Sequence, residues 1–126
     1  MVRTSTRPAL AAVALSAFLF AGTSAFAAME SYTATLNGAS EVPPNDSKGT
    51  GAVTATYDTA TKKFTYTATY SGLTGPATAA HFHGPAAPGV NAPPVVPVAP
   101  TAHASPIKGD ATLRDAQAAD LESGKW

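Results

Sequence analysis

Lys63-Phe64-Thr65-Tyr66-Thr67-Ala68-Thr69-Tyr70 is the stretch whose reading decides the fold. Phe64, Tyr66, Ala68 and Tyr70 fall on one side and Thr65, Thr67 and Thr69 on the other, the period of two that a half-buried strand requires. Strict alternation reads these aromatics as a packed face rather than a platform for stacking sugars. Just upstream, Ala52 to Tyr57 alternates in the same way, and Asp58-Thr59-Ala60-Thr61-Lys62 between them is a polar turn. The two runs are therefore read as a β-hairpin.

Working outward, Ser31 to Asn37 is a further strand, with Tyr32, Ala34 and Leu36 on one side and Thr33 and Thr35 on the other. It ends at Asn37-Gly38, and Pro43-Pro44 cannot extend a ladder because proline donates no backbone hydrogen bond. Ser71 to Pro76 reads as a turn and Ala77 to His83 as a short strand ending at Gly84-Pro85. Pro85, Pro88, Pro93, Pro94, Pro97, Pro100 and Pro106 then mark a long loop with one edge strand near Val95 to Val98. One helix of about ten residues follows, with Thr112 as its cap, Asp115 three positions later and Gly124 where it turns off. Its expected place is over one end of the sheet.

At the other terminus, Arg3 and Arg7 precede an apolar run from Ala9 to Phe20, and Ala25-Phe26-Ala27 supplies small residues at a cleavage point. This pattern reads as a secretory signal peptide over residues 1–27. The run is shorter than the roughly 20 residues needed to cross a bilayer. The remainder, 28–126, is expected to be one exported domain with no membrane span. Across the chain 8 basic residues balance 8 acidic ones, and without Arg3 and Arg7 the remainder is acidic by two, so nucleic acid is not an expected partner. The absence of cysteine excludes disulfides, thiolate ligands and cysteine nucleophiles together.

His81 and His83 lie two residues apart on a predicted strand, so both imidazoles project from one face. Such a pair suits copper or zinc, with His103 as a candidate third ligand and Glu41 or Asp110 as carboxylates that would complete a site if the fold brings them near. The alternative is structural: one ring hydrogen-bonds at the sheet end, the other is solvated, and the pair holds the Gly84-Pro85 turn. Glu41, in Glu41-Val42-Pro43-Pro44, has a structural alternative too, as a carboxylate bonding nearby backbone amides. No Gly-x-Ser-x-Gly elbow, His-Glu-x-x-His helix, paired-acid motif or phosphate-cradling loop is present, and the reading is of a protein that is not an enzyme.

Leu36-Asn37-Gly38-Ala39-Ser40-Glu41-Val42-Pro43-Pro44, Gly49-Thr50-Gly51-Ala52, Tyr70-Ser71-Gly72-Leu73, Ala79-Ala80-His81-Phe82-His83-Gly84-Pro85-Ala86 and Leu121-Glu122-Ser123-Gly124-Lys125-Trp126 together resemble the CHRD (chordin-type) domain. The resemblance implies an all-β fold, an antiparallel immunoglobulin-like or superoxide-dismutase-like β-sandwich, with one short helix near the C-terminus. It also implies a noncatalytic binding or adhesion module whose partner is an extracellular or cell-envelope protein or polymer. The family pattern continues after the helix with an aromatic residue, a strand bearing an asparagine and a histidine, and a Gly-Glu-Ile-Arg-Gly segment. The sequence is therefore expected to be truncated, and a site shared between His83 and that further histidine to be incomplete in it. A His-x-His strand following Gly-Leu also echoes copper-zinc superoxide dismutase, but three histidines are too few for its bridged site.

Overall fold

The computed structural model describes residues 27–99 and 103–126, so the signal peptide read at 1–27 lies outside them apart from Ala27. Three long strands come first: β1 (Met29–Asn37), β2 (Thr50–Asp58) and β3 (Lys63–Ser71). After them come β4 (His81–His83), β5 (Pro94–Pro97), β6 (Ile107–Thr112) and the helix α1 (Asp115–Glu122). One antiparallel sheet has the order β1-β2-β3-β6 and the other pairs β4 with β5. The fold is an all-β sandwich with one short C-terminal helix.

The hairpin forms as its sequence demands. Tyr57 pairs with Phe64 and Ala55 with Tyr66, so side chains that face inward on β2 lie opposite those that face inward on β3. At the turn, Asp58 accepts hydrogen bonds from the Ala60 and Thr61 amides at 2.9 and 3.2 Å, and Lys62 adopts φ 58° to close it. The Thr61 and Ala60 N–H groups hold the Asp58 carboxyl below its ordinary range.

Phe64 is the centre of the core. Its ring is 1% exposed and lies 5.9 Å from Tyr66, 5.1 Å from Phe82 and 5.4 Å from Trp126, centroid to centroid. Tyr57, Val96, Val98, Ile107, Leu113, Ala118 and Leu121 complete the buried cluster. Burial pushes the Tyr57 and Tyr66 phenols up from their ordinary value, because the phenolate form loses most when water is excluded.

One sequence expectation, the helix cap at Thr112, is corrected at the C-terminal end, where a strand that the sequence pattern did not mark reaches that residue. Ile107–Thr112, which carries no alternating aromatic signal, is a strand paired with Lys63–Ala68 of β3. Thr112 consequently sits in the ladder opposite Lys63 and does not cap the helix. The Leu113 amide extends the strand connection by donating to the Lys62 carbonyl at 2.9 Å, and the cap falls at Arg114, whose amide donates to the Gln117 side chain at 2.9 Å. Gln117 also donates to the Val95 carbonyl at 2.9 Å, which ties α1 to β5. Gly124, at φ +72°, ends the helical run in the left-handed conformation expected of a glycine there. An exposed Lys62–Asp115 ion pair joins the helix to the hairpin turn.

The helix therefore closes one end of the sandwich, next to the β2–β3 turn. The opposite end is less well covered. Leu36 of β1, which alternation assigned to the core face, is 41% exposed there, since neither β4 nor β5 is long enough to reach over it.

Candidate functional site

β4 is shorter than expected: within Ala77–His83 only His81, Phe82 and His83 are in strand conformation. Ala80 nevertheless accepts from the Val98 amide at 3.0 Å, and Gly84 donates to the Pro93 carbonyl at 3.1 Å. Even-numbered residues thus turn their backbone groups toward β5, and alternation turns those of His81 and His83 the other way.

The side chains follow the same parity. Phe82 packs into the core against Phe64 and Tyr66, its centroid 4.8 Å from that of Tyr66, while His81 and His83 are exposed on the outer face. Their ring centroids are 5.8 Å apart with the planes at 83°. His83 Nδ1 lies 2.9 Å from the Ala92 carbonyl oxygen. A carbonyl only accepts, so Nδ1 is the donor, and the neutral ring keeps its lone pair on Nε2. This is the usual way in which a protein backbone orients an imidazole for a ligand on its other nitrogen.

Gly84, which follows, is buried for a steric reason. A Cβ at this position would meet Trp126 Cδ1 at 2.8 Å and the Lys125 carbonyl at 3.0 Å. Ala86 donates to that same carbonyl at 2.9 Å, so the segment after β4 and the segment after α1 are held together. Trp126 Nε1 is buried with no hydrogen-bond partner among the described residues.

Beside the free edge of β4, a cavity of about 600 Å³ opens between the sheets. Its walls are mostly apolar, with Leu36, Val53, Tyr70 and Leu73 among them, and Glu41 and both β4 histidines also border it. Leu73 is 45% exposed. The loop from Gly38 to Gly49 forms one side and is folded on itself: Asn45 donates to the Gly38 carbonyl at 2.9 Å, and the Asn37 side chain accepts from the Ser40 amide at 2.9 Å. No local sequence signal marks this cavity, because its walls come from parts of the chain far apart in sequence.

The remaining candidate ligands are dispersed. Tyr70 donates its hydroxyl to the His103 carbonyl at 2.6 Å, so His103 is engaged through its backbone in holding the loop to β3. Asp110 lies on β6 in an exposed pair with Lys63 at 3.6 Å. Among the described residues, no three His, Asp or Glu side chains are grouped closely enough to hold a metal ion. The structure brings His81 and His83 together, and neither His103, Asp110 nor Glu41 completes a ligand set with them. No helix among the described residues is long and apolar enough to cross a membrane.

Searches of curated proteins and of solved structures found no match. The CHRD domain model, however, matches residues 32–126, from β1 through the Asn37-Gly38 loop, the His-Phe-His-Gly-Pro segment and α1 to Trp126. With three quarters of its length covered by that one model and a β-sandwich to carry it, the chain belongs to the CHRD domain family.

Proposed function

We propose that this chain is exported, with cleavage near Ala27, and acts as a noncatalytic binding module for an extracellular or cell-envelope protein or polymer. The single observation that carries this reading is the open, mostly apolar cavity of about 600 Å³ between the sheets. Leu36 and Leu73, 41% and 45% exposed, present apolar surface there that burial against a partner would remove from water. Membership of a family of extracellular interaction domains points the same way.

The test is retention of envelope components on the immobilised protein. The wild type is expected to retain a component saturably, and a Leu36→Asp, Leu73→Asp variant to lose at least about tenfold in affinity, or about 1.4 kcal/mol. Both positions are exposed, so the thermal unfolding midpoint is expected to move little. Equal retention by the variant, or none by the wild type, would refute the reading.

A second reading is coordination of copper or zinc by His81 and His83. The hydrogen bond from His83 Nδ1 to Ala92 supports it, because it leaves Nε2 available on the same exposed face as the His81 ring. Calorimetric titration with copper(II) and with zinc is expected to show a site that a His81→Ala, His83→Ala variant lacks. Absence of heat above background for both metals would end it.

A further inference from the structure

We infer that the outer face of β1, β2 and β3 binds ice. The face is a regular grid. Thr33, Thr54 and Thr67 stand opposite one another in the register; Ser31, Thr56 and Thr65 form the row on one side of them, and Thr35, Ala52 and Thr69 the row on the other. Eight of these nine positions carry a hydroxyl, and all are exposed except Thr67, which is half-buried. Neighbours are about 4.8 Å apart across the strands and about 6.8 Å apart along them. Both repeats are close to the spacings between equivalent oxygen atoms on the prism face of hexagonal ice.

β-Propensity accounts for threonine in strands but not for the lack of charge, since exposed sheet faces ordinarily mix acidic and basic side chains. Here charges begin only at the borders of the grid, with Asp58 and Lys63 beside the hairpin turn and Lys108 and Asp110 on β6. An uncharged face of hydroxyls complements an uncharged, hydrogen-bonding lattice. Ice is favoured over a polysaccharide because Tyr32, Tyr57, Phe64, Tyr66 and Tyr70 all have the opposite parity, which leaves no ring on this face for a sugar to stack on. Each threonine presents a methyl and a hydroxyl on a side chain that is stiff at χ1, so water along the rows meets a fixed pattern. Strands add to a sheet at its edges and in its plane, so further pairing at β1 or β6 leaves the face as it is. Twist of roughly 20–25° per strand limits the matched area, and the expected activity is slowed recrystallisation rather than a large depression of the freezing point.

The test grows ice slowly from a dilute solution of the protein and measures the share that the crystals retain, alongside grain growth in annealed ice. The wild type is expected to be retained and to slow grain growth, whereas serum albumin is excluded and does not. Thr54→Lys, at the centre of the grid, is expected to abolish both effects, with circular dichroism and the unfolding midpoint reporting whether its fold survives. Lys108→Thr extends the Thr33-Thr54-Thr67 row onto β6 and is expected to raise retention, a gain that loss of the fold cannot imitate. Exclusion of the wild type from ice would overturn the inference, as would undiminished retention of a folded Thr54→Lys variant. Should Thr54→Lys fail to fold, unchanged retention by Lys108→Thr would overturn it. Retention on crystalline cellulose or chitin together with exclusion from ice would assign the face to a glycan instead.

Discussion

Phe64→Ala is expected to lower the stability of the fold by about 3–5 kcal/mol, read as a fall in the urea midpoint with little change in slope. Phe64 is 1% exposed and touches all the layers at once: Tyr66 on its own strand, Phe82 from the second sheet, and Trp126 beyond the helix. Removing the ring opens a void that none of these neighbours fills easily. Tyr66 and Phe82 are fixed by strands, and Trp126 by its packing against Gly84. The loss is large beside the roughly 5–15 kcal/mol by which domains of ordinary stability stay folded. A cost below about 1.5 kcal/mol would place the true core elsewhere and undo the description of the sandwich as packed around this ring.

The same residue explains why the hairpin was legible from sequence. Phe64, Tyr66, Ala68 and Tyr70 alternate with threonines over a full strand, and local periodicity suffices when a strand is long and one of its faces is buried. The β4 histidines were legible for a related reason, since an i, i+2 pair in pleated backbone must share a face. What could not be read locally depended on distant partners. Leu36 has the phase of a core residue, and its exposure follows from how little of the opposing sheet extends over that end of β1. The cavity arises in the same way. Thr112 has the chemistry of a helix cap, yet the ladder with Lys63 holds it and the helix begins only after Arg114. Glu41 and His103 are candidate ligands by residue type alone, and type carries no information about which loop comes to rest against which strand.

β6 is the clearest case of a strand hidden from its own sequence, and it yields the second large prediction. Ile107-Lys108-Gly109-Asp110-Ala111-Thr112 contains a glycine and two charges, a poor strand by propensity, yet Gly109 stands directly opposite Tyr66 in the register. The Tyr66 ring lies across that glycine: a Cβ at position 109 would overlap the phenol oxygen and approach Cζ to 2.7 Å and Cε1 to 3.3 Å. The glycine that weakens the strand signal is thus the one that lets a buried tyrosine lie flat over the sheet. Gly109→Val, favourable for β-propensity in isolation, is therefore expected to destabilise by about 1–3 kcal/mol through overpacking. Because Tyr66 is only 5% exposed, its ring has no free path to solvent and must push against Phe64 and Phe82 instead. A double-mutant cycle distinguishes this cause from a generic effect of valine. Combined with Tyr66→Ala, the Gly109→Val change is expected to cost at least about 1 kcal/mol less than it does alone, since the clash partner is gone. Additivity of the two changes within about 0.5 kcal/mol would mean that the ring and the glycine are not coupled, and that the cost of valine at position 109 has another cause.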